Sequence, residues 1–317
     1  MTADPNQRAG RRIVTLRRVL ALVLLLLGLA VVLLLVAWRG MNRADGYIVS
    51  GNEKRSYLLH VPASYDPATP APLVITIHGF ASWPAQQMEM SGWNDLADEK
   101  GFIVVYPSGT GLPKRWRAGG PTQAADETSV DVTFIADLID MLSASYNIDQ
   151  TRIYANGLSN GGGMSYVLAC QLADRIAAAG SVSGAYLLPL SACRPTRPVP
   201  LMVFHGTADT IVPYDGGPSG MFDLPFPDIP EWVAERAALS GCAATPQPVA
   251  AQGAVRGIRY TGCTGEADVV FYTIEGGGHT WPGGEPLPRS IAGETTQDID
   301  ATAVMWEFFS QHALPAH

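Results

Sequence analysis

The pentapeptide Gly157-Leu158-Ser159-Asn160-Gly161 decides the interpretation of the chain, because it sets one serine between two glycines at G-x-S-x-G spacing. The segment 152–155 before it predicts a short strand, and 161–172 has the composition of a helix. A serine on a sharp strand-to-helix turn is strained, so the residues two before and two after it need little or no side chain. Gly157 and Gly161 meet that need, and the motif predicts Ser159 as a nucleophile. The alternatives are a glycine-rich helix start and a phosphate-binding loop, and the loop is disfavoured because no Gly-Lys-Ser/Thr follows.

Strands alternate with helices on both sides of this motif. The apolar patterns predict further strands at 73–78, 102–106, 177–183, 200–205 and 268–274, and helices at 85–100, 129–146 (capped by Ser129), 230–240 and 297–312. Such alternation is typical of a mostly parallel sheet with helices on both faces. The segment 47–61 is expected to form an antiparallel edge. The fold class is therefore α/β.

A serine needs a base to activate it, and the base needs an acid to orient it. In the α/β-hydrolase fold these groups follow in the order Ser, Asp or Glu, His. Asp209 lies in the loop after one predicted strand, and His279 follows the glycine-rich loop after the last. We predict both as partners of Ser159, with Asp215 and Asp223 as the rival acids.

The same fold requires two amides to bind a negatively charged oxygen. One is the N–H of Asn160, directly after the nucleophile. The other is expected in the loop after strand 73–78, where Phe80 is the candidate and His78 is interpreted as structural.

At this point the chain resembles the polyhydroxybutyrate-depolymerase-like esterases, which are related to feruloyl and acetylxylan esterases. The segments that carry the resemblance are 72–80, 92–107, 146–161, 197–214 and, most specifically, Gly276-Gly277-Gly278-His279-Thr280-Trp281-Pro282-Gly283-Gly284. The resemblance implies that Ser159, Asp209 and His279 form the triad. It also suggests Trp281 as an aromatic that lines the acyl site.

The predicted function is a serine carboxylic ester hydrolase that works through an acyl-enzyme, with no metal and no cofactor. Short-chain, hydroxyalkanoate or phenolic (feruloyl) esters are the expected substrates. An acyltransferase or a peptidase on the same triad remains open, as does a non-catalytic binding module on the cell surface.

Charge is unevenly distributed along the chain. The formal net charge is −8, and the part after residue 45 alone carries −13. A body of that charge repels polyanions, which excludes a nucleic-acid partner. The sequence does not predict an oligomeric state.

The N-terminal region carries a targeting signal. Residues 19–38 form an uncharged run of 20 residues preceded by five arginines, long enough to span a bilayer with its N-terminus in the cytoplasm. The predicted organisation is a basic tail (1–18), a transmembrane signal anchor (19–38), a connector (39–54) and a catalytic domain (55–317) outside the cytoplasm. A cleaved signal peptide, which would release the protein, is the alternative.

Four cysteines fit an exported domain. Helix ends and strand starts share one edge of a parallel sheet, which favours pairing Cys170 with Cys193. Cys242 and Cys263 flank two apparent strands and form the other predicted pair. Four free thiols are the alternative. The glycine-, proline- and phenylalanine-rich stretch 216–230 is interpreted either as a cover over a pocket or as a packed surface loop.

Overall fold

The computed structural model describes residues 5–120, 127–250 and 252–315. The chain divides into two compact units, and the second unit begins at Ala44. The α-helices of the described residues are α1 (Pro5–Met41), α2 (Pro84–Ser91), α3 (Trp93–Lys100), α4 (Glu127–Ser145), α5 (Asn160–Gln171), α6 (Ile229–Leu239), α7 (Arg289–Ala292) and α8 (Ala301–Phe309). The strands are β1 (Gly46–Ser50), β2 (Glu53–His60), β3 (Ala71–Ile77), β4 (Ile103–Pro107), β5 (Ile148–Leu158), β6 (Ala178–Val182), β7 (Leu201–Gly206), β8 (Asp215–Gly217), β9 (Phe226–Asp228), β10 (Gln247–Val249), β11 (Val255–Tyr260) and β12 (Val269–Ile274).

The first unit consists of helix α1. Its stretch Leu20–Met41 has a mean hydropathy of 3.3 and is long and apolar enough to cross a membrane. The described side chains of this stretch are exposed or half-exposed. Residues 1–4 of the predicted basic tail lie outside the described residues.

The second unit is built on a ten-stranded sheet with the order β1-β2-β4-β3-β5-β6-β7-β12-β11-β10. The six central strands from β4 to β12 run parallel, and β1, β2, β11 and β10 add antiparallel edges. This confirms the predicted α/β class and the antiparallel leading edge. Strand β1 falls within the predicted connector, so the sheet begins earlier than the boundary at residue 55.

Helices cover both faces of the sheet because buried strands alternate their side chains between two cores. In β3, Leu73, Ile75 and Ile77 contribute to one core, and Val74 contributes to the other. The first core is completed by α4, α5 and α6, and the second by α2, α3 and α8.

Three predicted helices differ from the structure by more than a shift of one residue. The helix predicted over 85–100 is two helices, because Gly92 takes a left-handed φ of 64° between α2 and α3. Helix α4 begins at Glu127, so Ser129 lies inside the helix and is not its cap. Helix α8 begins four residues later than predicted, because the Asp300 carboxylate accepts hydrogen bonds from the amides of Thr302 and Ala303 and fixes the first turn.

Both predicted disulfides are present. Cys170 at the end of α5 is bonded to Cys193, and Cys242 is bonded to Cys263 across the β10–β11 pair. Each closes a segment of little more than 20 residues. Restricting the unfolded chain in this way stabilises the fold by about 3 kcal/mol per bridge.

Candidate active site

Ser159 lies on a strained turn between β5 and α5. Its backbone has φ 60° and ψ −121°, a conformation that side-chain-bearing residues rarely adopt. A Cβ atom at Gly157 would lie 2.5 Å from the Ile77 carbonyl oxygen, and one at Gly161 would meet the same oxygen more closely. The two glycines are therefore required by the close approach of β3, as the motif predicted.

The surrounding backbone holds this turn in place. The Ser159 N–H donates to the Val182 carbonyl at 2.9 Å, and the Ser159 carbonyl accepts from Gly163 at 2.9 Å and from Ala185 at 3.0 Å. The serine is 9% exposed and lines a cavity of about 600 Å³. Its side chain thus faces a space that is large enough for a small organic ligand.

Asp209 and His279 form a buried pair. His279 Nδ1 lies 2.8 Å from Asp209 Oδ2, and the carboxylate is fixed on its other oxygen by the amides of Ile211 at 2.9 Å and Val212 at 2.8 Å. The rival acids Asp215 and Asp223 are both exposed. The structure therefore brings His279 together with the acid that we predicted.

The electrostatics of this pair favour an ionised carboxylate. Burial is the largest influence on the pKa of Asp209 and would raise it, but His279, His205 and the Val212 amide together lower that pKa below its ordinary value. Burial also lowers the pKa of His205, whose Nε2 atom lies 3.5 Å from Asp209. Asp209 is thus a stable negative charge beside the His279 imidazole.

Ser159 and His279 follow two strands that are not neighbours in the sheet. Strand β5, which leads to the serine, lies three places from β12, which leads to the histidine. At a spacing of about 4.8 Å per strand, the loop after β12 has to span roughly 14 Å toward the serine. Within the described residues no hydrogen bond joins the Ser159 hydroxyl to His279, so the structure places these two groups at the same sheet edge without direct bonding.

The two predicted oxyanion donors lie beside the serine. A Cβ on Gly79 would be 3.3 Å from the Ser159 Cβ, which places the Gly79–Phe80 loop against the turn. Within the described residues, the N–H groups of Phe80 and Asn160 have no hydrogen-bond acceptor. Two unpaired amides next to a nucleophile form a suitable site for a negatively charged oxygen.

Trp116 connects these parts and was not identified from the sequence. Its N–H donates to Asn160 Oδ1 at 2.7 Å, and its carbonyl accepts from Asn160 Nδ2 at 3.1 Å. Its indole N–H donates to the His78 carbonyl at 2.9 Å. No local pattern around residue 116 signals this role, because the contacts join segments more than 35 residues apart.

His78 is structural, in agreement with the sequence interpretation. Its Nδ1 atom lies 2.7 Å from the Gly79 carbonyl, and its Nε2 atom accepts from the Gly109 N–H at 3.0 Å. Complete burial lowers the pKa of His78 to about 4, so the ring is neutral near pH 7.

The stretch 216–230 covers part of the cavity, which decides between its two interpretations. Phe222, Leu224 and Phe226 line the same space as Ser159. The Phe222 ring packs edge-on against Phe80 with 5.5 Å between the ring centroids. The cover therefore contacts Phe80, whose N–H is the predicted second donor, directly.

Trp281, which the resemblance suggests as an acyl-site residue, lies in the core of the structure. Trp281 is 1% exposed, and its indole N–H donates to Thr302 Oγ1 at 2.9 Å in the core beneath α8. It does not line the cavity of Ser159. The aromatic residues there are Phe80, Trp116, Phe222 and Phe226. Within the described residues, no group of three or more His, Cys, Asp or Glu side chains is placed to hold a metal ion.

Comparison with known proteins adds independent evidence. Residues 55–193 match the family described as "Esterase PHB depolymerase". The putative esterase NocK of Nocardia uniformis subsp. tsuyamanensis is 30% identical over 280 residues, covering 82% of this chain and 80% of that protein. Feruloyl esterase C of Emericella nidulans is 27% identical, covering 85% of this chain and 86% of that protein. Feruloyl esterase B of Piromyces equi is 30% identical over 82% of this chain but only 46% of its own length.

Solved structures agree on the fold. Acetyl xylan esterase from Aspergillus awamori superposes with a TM-score of 0.58 at 17% identity, covering 84% of this chain and 98% of that one. A thermostable esterase gives a TM-score of 0.54 at 18% identity, covering 85% and 62%. The chain belongs to the polyhydroxybutyrate-depolymerase-like esterases of the α/β-hydrolase fold and is a carboxylic ester hydrolase.

Proposed function

We propose that Ser159, His279 and Asp209 form the catalytic triad of this esterase and that hydrolysis proceeds through an acyl-enzyme. One observation carries the proposal. A serine on a strained turn opens onto a cavity at the sheet edge where a buried aspartate holds a histidine at 2.8 Å.

The acylation step follows from the groups present. His279 Nε2 takes the Ser159 proton as the oxygen bonds to the ester carbonyl carbon, and the carbonyl oxygen becomes an oxyanion. The amides of Phe80 and Asn160 bind that oxyanion. Its collapse breaks the bond to the alcohol, which leaves with the proton from His279.

Deacylation repeats these steps with water. His279 removes a proton from water as its oxygen bonds to the acyl carbon. The second oxyanion collapses, the bond to Ser159 breaks, and His279 returns the proton to the serine oxygen. Asp209 keeps Nδ1 of the imidazole protonated throughout, so that Nε2 can accept a proton.

The substrates proposed are short-chain, hydroxyalkanoate or phenolic esters. Two of the relatives compared are named feruloyl esterases. The predominantly apolar cavity of about 600 Å³ is large enough to hold a short acyl chain or an aromatic ring. An acyltransferase or a peptidase would use the same triad, but no feature of the described residues specifically favours either. A non-catalytic binding module would have no need for the strained serine.

We also propose that α1 anchors the protein in a membrane and that the unit beginning at Ala44 is the catalytic domain outside the cytoplasm. The apolar stretch Leu20–Met41 and the two disulfides support this location. A cleaved signal would give a released enzyme with the same catalytic unit.

Replacing the nucleophile tests the function. Ser159→Ala in the full chain should reduce turnover of p-nitrophenyl butyrate, methyl ferulate and hydroxybutyrate oligomers to the uncatalysed level, with an unchanged circular dichroism spectrum. Ser145→Ala, on the outer face of α4, is the matched control and should retain turnover. Persistent hydrolysis by the folded Ser159→Ala variant would exclude Ser159 as the nucleophile.

A further inference from the structure

The cavity around Ser159 is mostly apolar, but two arginines line it. Arg115 and Arg117 share the cavity with the serine and the aromatic cover. Ester hydrolysis at Ser159 requires neither of them, because the triad and the oxyanion amides supply every proton transfer and every charge contact. Their presence therefore needs another explanation.

Both arginines are held in fixed relation to the nucleophile. They flank Trp116, whose backbone is hydrogen-bonded on both sides to the Asn160 side chain, one residue from Ser159. Arg115 is also paired through its backbone with Thr110, at 2.9 and 3.1 Å. The guanidinium groups are thus mounted on a rigid segment and not on a loose loop.

The carboxylates near this segment are largely occupied by other cations. Asp131 forms a 2.8 Å ion pair with Arg55, and Arg117 lies 3.7 Å from Asp131 and 3.9 Å from Glu53. The exposed Arg115 side chain has no carboxylate partner within the described residues. Among the residues that the structure describes, the cations of this cluster outnumber its carboxylates: Arg55, Lys114, Arg115 and Arg117 against Glu53 and Asp131.

This local excess of positive charge stands out in a chain with a net charge of −8. A guanidinium presents a planar set of donors that matches both oxygens of a carboxylate. The lining next to Ser159 therefore suits a substrate with an apolar body and an anionic end.

We propose that Arg115 binds a carboxylate of the ester substrate, so that the enzyme prefers esters whose acid or alcohol part carries a free carboxylate. A hydroxyalkanoate oligomer with a free acid end has this chemistry, whereas a neutral alkyl ester does not. The inference rests on the proposed role of Ser159 and specifies the substrate class of that site. Arg117, which is shared between two carboxylates, is assigned a supporting electrostatic role.

Matched ester pairs test this inference on the full chain. Mono-4-nitrophenyl glutarate and 4-nitrophenyl pentanoate differ in an acyl-side carboxylate, and 4-acetoxybenzoate and 4-acetoxybenzamide differ in an alcohol-side one. The wild type should show the higher kcat/KM for the anionic member of at least one pair, which identifies the side that Arg115 contacts. Arg115→Gln should lower that preference at least tenfold, mainly through KM, because hydrogen bonds to charged groups are the strong ones.

Two further measurements separate a specific contact from general charge. Raising the NaCl concentration from 0.05 to 0.5 M should weaken the wild-type preference, because salt screens an exposed ion pair. Arg115→Lys should retain part of the preference. Arg175→Gln is the charge control, because it removes one positive charge from the ion pair with Asp140, away from the cavity. This variant should leave the preference for anionic esters unchanged.

The outcomes distinguish the two proposals. If both members of each pair are hydrolysed but their ratio is the same in wild type and Arg115→Gln, the carboxylate site is overturned and the esterase mechanism stands. If the wild type hydrolyses no ester in the panel, the function proposed for Ser159 fails.

Discussion

At the scale of single residues, the site depends on side chains whose chemistry is set by burial. Asp209 keeps its charge because one carboxylate oxygen accepts hydrogen bonds from two backbone amides and the other lies 2.8 Å from His279 Nδ1. The position of Asp209 beside His279 was predictable from its place after a strand, since parallel strands end at one sheet edge. The hydrogen bonds that Trp116 forms with His78 and Asn160 could not be predicted, because no sequence pattern near residue 116 specifies them.

Asp209→Asn should lower kcat about 10³- to 10⁴-fold with little change in KM. The asparagine oxygen would accept the Ile211 and Val212 amides, which turns its NH₂ group toward His279 and favours the wrong imidazole tautomer. Hydrolysis of p-nitrophenyl butyrate by the purified protein provides the measurement. Asp215→Asn, at the exposed rival acid, is the control and should retain full activity; loss there instead would reassign the acid.

Burial of His78 predicts a pH-dependent stability. Its pKa is lowered from 6.5 to about 4 by burial, so between these pH values the unfolded chain binds a proton that the folded chain does not. The free energy of unfolding should therefore fall as pH decreases through this window, by about 3 kcal/mol from this residue.

The check is urea unfolding of the full chain in detergent at pH 7.5 and pH 4. His78→Gln keeps a donor and an acceptor but does not titrate, so it should lose correspondingly less stability than the wild type on acidification. His205 and His312, whose pKa values are also lowered mainly by burial, remain in both proteins and contribute equally. Equal losses in the two proteins would contradict the assignment of a neutral, buried His78.

At the scale of elements, the sequence predicted which segments form strands and helices better than where they end. The apolar runs of the central strands are unmistakable because both faces of those strands are buried. Local conformations were missed, such as the left-handed Gly92 that divides α2 from α3 and the Asp300 cap that delays α8. The role of 216–230 stayed open because a cover and a surface loop share the same composition, and contact with Phe80 decided it.

Phe222→Ala should raise KM for methyl ferulate about three- to tenfold with a smaller effect on kcat. The substitution removes an aromatic pair and part of the cavity wall, and such pairs contribute about 0.5–1.5 kcal/mol. Steady-state kinetics of the full chain measure the effect. Met221→Ala, its neighbour, is the control, because Met221 is 59% exposed and does not line the cavity. Equal effects of the two substitutions would remove Phe222 from the substrate wall.

At the scale of the whole molecule, one apolar helix precedes one catalytic unit. The disulfides and the apolar run together indicate export, and both were signalled in the sequence, by the four cysteines and by the uncharged run of 20 residues. The disposition of α1 in a membrane depends on processing, which composition does not determine.

If α1 is an uncleaved anchor, the protein should remain in the membrane pellet after extraction with alkaline carbonate. N-terminal sequencing should then show that the mature protein starts within the first residues of the sequence. A soluble protein whose N-terminus lies close to residue 39 would show that the helix is a cleaved signal.

The central claim is that His279 activates Ser159 even though no hydrogen bond joins them within the described residues. Labelling the full chain with a fluorophosphonate, followed by mass spectrometry of its peptides, tests this most directly, because the reagent requires an activated serine hydroxyl. We predict a single adduct on Ser159 that forms readily in the wild type and at least a hundredfold more slowly in His279→Gln. An adduct on another serine, or labelling of Ser159 at the same rate without the imidazole, would contradict the triad.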